Sequence, residues 1–452
     1  MGDSADLIDS VLLGDSFSSP DVRRVFADHN ILQKWLDVEA ALAESQAELG
    51  IVPLDAANEI RRHANADQYD LSAIGREIES ISHPLVPVIR ALERACDGDA
   101  GQYVHWGATT QDITDTGTVL LAREALTLIE DRVDLITGQL MRLASLYRDT
   151  IMPGRTHGQH GPPITLGFKF AILIDEFDRH CERIGEARKR VFVGQLAGAV
   201  GSLASMGGAG LEVQERLMAR LGLATPNISW HTARDRLTEL VSIVSMIAAT
   251  TGKIANEVRV LQATEVNEVR EPYSFGKVGS STMPHKRNPM VAENVIAAVR
   301  LTRQSVPMML ESMIQEHERD MTAWGVEWSV LPDVFALTGG ALDHCIRILE
   351  GLRVNPDAMR RNLNLQDGLN LSEAVMMHLA GPLGKQRAHE VVYEASMRAY
   401  DDGVSIADAL NDVADVRANI DAEQMKRLLD PKNNIGLCRE FVDRVLALHQ
   451  KD

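Results

Sequence analysis

Apolar residues recur along this chain at alternating spacings of three and four. Val119, Ala122, Leu126, Ile129, Val133, Ile136, Leu140, Leu143 and Tyr147 form one such row. A period of 3.5 belongs to a long helix that presents one apolar seam to a left-handed bundle. At 1.5 Å per residue, a stretch of about 30 residues spans about 45 Å. Thr114, Asp115 and Thr116 offer N-caps for it. The spacing returns four times. Phe170, Ile174, Phe177, Cys181, Ile184 and Val191 form the second seam, with Arg188 in register. Leu240, Val244, Ile247, Thr251, Ile254, Val258, Leu261 and Glu265 form the third. Val295, Val299, Thr302, Val306, Met309 and Met313 form the fourth, and Leu331, Phe335, Leu342, Cys345, Leu349 and Leu352 the fifth. Thr251 and Glu265 are polar positions in register and read as bundle-interior or interface groups.

The two ends are patterned differently. Before residue 112 the helices are shorter, as in Leu32, Trp35, Val38, Leu42 and Leu49, closed by Gly50 and Pro53. Beyond about residue 365 short helices alternate with Gly381-Pro382, Asp430-Pro431 and Gly436. Alternating β-branched runs bounded by turn pairs are scarce. The expected fold is therefore all-α in three parts: an N-terminal helical domain over 1–112, a five-helix bundle over 113–364 and a C-terminal helical domain over 365–452. Long seams of this kind often bury a remaining face against another subunit.

Charge narrows the function. Of 452 residues, 46 are Lys or Arg and 64 are Asp or Glu, a formal charge of −18. Such a chain repels phosphate backbones, so nucleic acid is not an expected partner. A small anionic substrate would need a local basic site. Cys96, Cys181, Cys345 and Cys438 show neither metal-ligand spacing nor a disulfide framework, which fits a reducing cytoplasm. The N-terminus lacks the pattern of a signal peptide, and Asp6 stands where myristoylation needs Ser or Thr. The longest apolar stretch, Val241 to Ala249, is interrupted by Ser242 and Ser245 and is too short for a bilayer. No membrane partner is expected.

Three segments carry candidate chemistry. Gly279-Ser280-Ser281-Thr282-Met283-Pro284-His285-Lys286-Arg287-Asn288-Pro289 falls between the third and fourth long helices and reads as a loop. It packs hydroxyls, cations and an amide into eleven residues. Gly276 and Gly279 would let it move over a carboxylate substrate, and Pro289 could start the next helix. Thr109-Thr110-Gln111-Asp112 follows His105-Trp106-Gly107-Ala108 and precedes a helix, where small hydroxyls and an amide suit a carboxylate. Gly154-Arg155-Thr156-His157-Gly158-Gln159-His160 reads as a His-rich loop. His157 and His160 invite a metal reading, but no third ligand of suitable spacing follows. Neither a Gly-rich phosphate loop nor a metal constellation appears, so no cofactor is implied.

The segment from Gly279 to Pro289 closely resembles the signature of the fumarase/aspartase superfamily. Its Met-Pro-His-Lys-Arg-Asn-Pro form points to the branch of adenylosuccinate lyase and 3-carboxy-cis,cis-muconate cycloisomerase. The other two segments occur in family order. The resemblance implies an all-α three-domain subunit with a five-helix bundle. It also implies a homotetramer in which each active site combines segments from three subunits. By resemblance Ser280 is the general base, with Lys286 and loop N–H groups stabilising its alkoxide, since an ordinary serine is too weak a base at neutral pH. His157 would be a general acid oriented by His83 or Glu293. Thr109, Thr110, Gln111, Thr156, Ser281, Met283 and Asn288 would contact a dicarboxylate, with Arg319 a further carboxylate candidate or a structural ion-pair partner. The intermediate would be an aci-carboxylate, which calls for localised positive charge and N–H donors.

Two departures bear on the bond broken. Ser229-Trp230-His231-Thr232-Ala233-Arg234-Asp235-Arg236, the Gln315 to Arg319 run and the C-terminal Leu429-Asp430-Pro431 resemble the cycloisomerase. His157 and His83 resemble adenylosuccinate lyase. A carboxylate leaves as an anion without a proton donor, its pKa being about 4, whereas an amine needs one. The histidines thus favour C–N cleavage releasing fumarate, with lactonisation as the alternative and a non-catalytic structural relative as a remote one. Trp324 and Trp328 stand where the nucleotide-phosphate site would need Ser and Arg, so the amine is expected not to be a nucleotide.

Overall fold

The computed structural model describes residues 5–273 and 279–450. All five long helices form: α3 (Thr110–Leu146), α4 (Leu166–Val191), α5 (Asp235–Leu261), α6 (Met290–Glu311) and α7 (Thr322–Glu350), preceded by shorter ones including α1 (Asp28–Ala47) and α2 (Val86–Ala95). The chain belongs to the all-α class expected from its periodicity. Its strands are few: the hairpin β1 (Ile151–Thr156) with β2 (Gln159–Thr165), and the two-residue pair β3 (Val269–Arg270) with β4 (Arg353–Val354). Contacts divide the chain into two compact units. One comprises Met1–Val133, Arg179–Gly252 and Asn294–Asp343, and the other Asp134–Asp178, Lys253–Glu293 and His344–Asp452.

The seams are buried as the 3.5 period requires. From Val119 to Leu143 every residue of the first row is at most 1% exposed. Four details differ from the sequence reading, the first being that Met313 of the fourth seam lies beyond α6 and is exposed. α3 starts at Thr110, so Thr114, Asp115 and Thr116 are buried helix-interior residues and not caps. The second seam breaks at Cys181, which is exposed. The third ends with α5 at Leu261: Thr251 is buried and donates to the Ile247 carbonyl, but Glu265 lies exposed in the turn beyond the helix. By length and composition α5 could cross a membrane, with a mean hydropathy of 1.3 over an 18-residue window. Two thirds of that window is buried inside the fold, where Leu240, Val244 and Ile247 form core.

In the first unit α5 and α6 approach closely enough that a Cβ on Gly252 would meet Val299 at 2.9 Å. The N-terminal segment is tied down by Arg132 of α3, whose guanidinium bonds Asp343 at 2.8 Å and Asp21 at 2.7 Å. Near it, burial above all, then repulsion from Asp6 and Asp9, pushes the Asp333 carboxyl up from 3.8 to about 6. A raised acid costs stability wherever it must ionise, and here that cost develops between pH 3.8 and about 6 and is complete above it. Asp333→Asn should therefore raise stability near neutral pH by on the order of 1 kcal/mol, allowing for solvent screening, and leave it unchanged at acid pH. Urea unfolding on both sides of the window checks this.

In the second unit, Val375, Leu379, Ala388, Val391, Ile406, Leu410 and Val416 build a separate small core from short C-terminal helices.

Candidate active site

Within the first unit the structure gathers Thr109, Thr110, Gln111, His83 and Arg319 around the start of α3. Thr109 precedes the helix, and Asp112, three residues on, reaches back to its N–H at 3.0 Å. Asp112 is fully buried and serves three further donors at 2.9 Å each: His231 Nε2, the Ala197 N–H and the Gly198 N–H. This carboxylate therefore pins the Thr109–Thr110 turn to the loop at 197–198. Ala199 of that loop accepts from Arg319 Nη2 at 2.7 Å. Arg319 is thus neither in a described carboxylate ion pair nor distant from the helix start. Gln111 is fully buried and its amide donates to the His231 carbonyl at 2.8 Å, so it braces the segment from inside.

His83 follows Ser82, whose φ of 53° ends the preceding helix. Its Nδ1 accepts the Val86 N–H at 3.1 Å and so caps α2. With Nδ1 an acceptor, the proton of the neutral ring is on Nε2, which faces Thr110 Oγ1 at 3.3 Å. Glu39, 1% exposed, bonds His105 Nδ1 at 2.7 Å four residues before Thr109. Burial disfavours the His105 charge, but Glu39 outweighs it and raises the imidazole above its ordinary value. Beneath α3, Arg234 is 1% exposed and bridges Asp115 at 2.8 Å and Glu327. Burial opposes the Arg234 charge, yet the two carboxylates prevail and hold its pKa above normal. Burial pushes the Glu327 carboxyl up, with Arg234 working against it.

Within the second unit the His-rich segment is not an irregular loop. It is the β1–β2 hairpin, with Thr156 opposite Gln159 and a two-residue turn of His157 and Gly158. Their φ values of 53° and 76° match a type I′ turn, whose twist suits a tight hairpin. Thr156 and His157 are exposed at its tip. The base is rigid. Arg155 grips Glu268 through two bonds of 2.9 and 2.6 Å, and Asn362 donates to the same buried carboxylate at 2.8 Å. Burial, then the Arg155 charge, lowers the pKa of His160, so that ring is held neutral behind the tip. Among the described residues no three His, Cys, Asp or Glu side chains gather in a metal-ligating group.

The signature segment lies in the same unit. Gly276 falls outside the described residues. Gly279 packs closely: a Cβ there would meet the Lys286 carbonyl oxygen at 2.3 Å, so the position needs a glycine for close approach. Asn288 Nδ2 donates to the Gly279 carbonyl at 2.8 Å and closes the loop. Ser280 Oγ accepts the Met283 N–H at 3.1 Å and the Thr282 N–H at 3.4 Å. Ser281, Met283 and Lys286 are exposed, and Glu293 is exposed in the first turn of α6. Buried Glu271 accepts the Val291 and Ala292 N–H groups at 3.3 and 3.1 Å and anchors that helix start behind the loop.

Known proteins resemble this chain along nearly its whole length. Residues 16–301 match the lyase family model, and residues 368–445 the model of the adenylosuccinate lyase C-terminus. An N-acetyl-S-(2-succino)cysteine lyase of Dickeya dadantii is 43% identical over 97% of both chains. A protein of the same name from Enterococcus italicus is 43% identical over 98% of this chain and 97% of its own. The solved 3-carboxy-cis,cis-muconate lactonizing enzyme of Pseudomonas putida is 39% identical, with a TM-score of 0.90 over 97% of this chain and 99% of that one. The chain belongs to the fumarase/aspartase superfamily of lyases.

As a member of this superfamily it is a lyase of the succinate type. Three of its most buried polar groups escaped the sequence reading: Asp112 with His231, Arg234 with its two carboxylates, and Arg155 with Glu268 and Asn362. Asp112, His231, Arg234 and Arg155 stand in segments singled out above. Their partners come from 85 to 119 residues away, as with the Ala197 N–H and Asp112 or Arg234 and Asp115, and no local spacing signals such a pair.

Proposed function

We propose that this lyase cleaves a 2-substituted succinate by β-elimination, releasing fumarate and an N-acylated cysteine whose sulfur is the leaving atom. The observation that carries the leaving group is the pair of relatives named N-acetyl-S-(2-succino)cysteine lyase, each 43% identical along nearly the whole chain. Ser280 takes a proton from the carbon beside one carboxylate, the electron pair moves into the new double bond, and the C–S bond breaks. Two loop N–H groups already face Ser280 Oγ, which is where an alkoxide needs donors, and Lys286 supplies the cation on the same loop. Thr109, Thr110 and Arg319 hold a carboxylate at the positive end of α3. Thr156, Ser281, Met283 and Asn288 contact the substrate. His157, exposed at the hairpin tip, delivers the proton to the departing atom. The proposal includes a cytoplasmic homotetramer with shared sites.

A second reading is C–N cleavage, favoured by the retained His157 and by the His83–Thr110 contact at 3.3 Å. A nucleotide amine is disfavoured, because Trp324 and Trp328 pack together at 5.9 Å where a phosphate would need cations. One experiment separates the cases. Purified enzyme is offered N-acetyl-S-(2-succino)cysteine, N-substituted succinates and 3-carboxymuconate, with fumarate followed by absorbance. Fumarate from the thioether alone supports the first reading, and fumarate from an amine adduct alone supports the second. Loss of 3-carboxymuconate alone sinks both. His157→Gln grades the leaving group further. A thiol of pKa about 8.5 departs with modest help, so a loss of about 10²-fold is expected; an amine would lose about 10⁴-fold.

A further inference from the structure

One side chain ties the chain on both sides of Ser280. Gln262 is the first residue beyond α5. Its Oε1 accepts the Glu271 N–H at 2.8 Å, where the chain leaves β3. Its Nε2 donates to the Arg287 carbonyl at 3.1 Å, next to Asn288. A primary carboxamide carries a donor and an acceptor on one planar group, which neither an ionised carboxylate nor an aliphatic side chain of that length does. Gln262 is itself held, because its N–H bonds the Val258 carbonyl at 2.9 Å and the turn behind it returns to α5 through the Glu268 N–H and the Leu261 carbonyl, also at 2.9 Å. Both tied positions lead to the reactive segment. Glu271 receives N–H groups from the first turn of α6, and Asn288 closes onto the Gly279 carbonyl beside Ser280. A second tie backs the first. The Arg287 guanidinium carbon lies 4.4 Å from the centre of the Tyr273 ring, and Arg353 of β4 donates to the Tyr273 carbonyl at 3.1 Å. The space these residues enclose is about 40 Å³, room for about one water, so they pack as a strut and not as a substrate pocket.

We propose that Gln262 is a positioning residue: by bridging Glu271 and Arg287 it sets where Ser280 stands, on the reading above that Ser280 is the base. It acts through the backbone on either side of that serine, so kcat and not KM should respond to its loss.

Two variants of the intact enzyme test this, with the substrate that yields fumarate in the screen above. Gln262→Met keeps the length and removes both bonds. It should lower kcat at least about tenfold and leave KM within about threefold, since misplacing a reacting group by about 1 Å costs up to about 10²-fold. In a Ser280→Ala background the same change should cost less than about twofold, because no base is left to position. Gln262→Glu keeps the acceptor and loses the donor once ionised. A protonated carboxyl restores the donor, so turnover relative to the native enzyme should rise at least about twofold from about pH 8 to about pH 5, the ordinary Glu pKa being about 4.3. A residue that only supported the fold would show no such rise. Hydrogen exchange needs no substrate: amides of residues 279–288 should exchange at least about fivefold faster in Gln262→Met, while those of α5 stay unchanged. Native kcat in Gln262→Met, equal losses with and without Ser280, a flat pH ratio in Gln262→Glu, or unchanged exchange over 279–288 would each overturn the role of Gln262. Full activity of Ser280→Ala alone would instead overturn the base reading, whatever Gln262 does.

Discussion

Ser280→Ala should lower turnover by about 10³-fold, within the range for loss of a positioned acid or base, while leaving the fold intact. Both halves of that expectation come from the loop. Ser280 Oγ is contacted by the Thr282 and Met283 N–H groups, so removing it takes away the one oxygen with donors arranged for a negative charge. Those N–H groups belong to exposed residues and regain water, so the stability cost stays within about 0.5 kcal/mol. Steady-state fumarate release and thermal unfolding measure the two halves. Full turnover in the variant would remove Ser280 from the base role. Loss of both activity and fold would mean that the hydroxyl closes the loop and does no chemistry that this variant can isolate; Ser280→Cys, which keeps an acceptor of similar size, would then decide.

Arg234→Leu should cost about 3–5 kcal/mol, the usual penalty for removing one partner from a buried ionic group. The variant would leave Asp115 and Glu327, 5% and 2% exposed, facing each other without their cation. Denaturant unfolding at neutral pH reads the loss. The sign is checked by a compensating change. Adding Asp115→Asn and Glu327→Gln to Arg234→Leu removes the stranded charges and should recover much of the stability, since an apolar or neutral replacement of a whole buried group is often tolerated. A cost below about 1 kcal/mol for Arg234→Leu alone would mean that solvent reaches the group and that burial is not its governing feature. The same variant should weaken substrate binding, because Arg234 also approaches the His231 carbonyl at 3.4 Å, which accepts from Gln111 beside Thr110.

The five seams were legible along the chain because each is local. A 3.5 period needs only neighbouring turns of one helix, and Ile129, Ile136, Ile247 and Phe335 are buried as their register requires. The Gly279–Pro289 string is likewise contiguous. Ends and exceptions were harder. The helix start at Thr110 depends on Asp112 folding back on Thr109, and the close approach of Gly279 to the Lys286 carbonyl has no local signal. His157 and Gly158 form a hairpin turn because Ile151–Thr156 and Gln159–Thr165 can pair, in a chain whose composition suggested almost no strands.

Helical class and long-helix number therefore follow from short-range periodicity. Which buried polar residues find each other does not. Asp112 meets His231, Arg234 meets Asp115 and Arg155 meets Glu268 across 113 to 119 residues. Such pairs exist because a buried charge must find a partner wherever the packing brings one, and packing is a property of the folded chain as a whole.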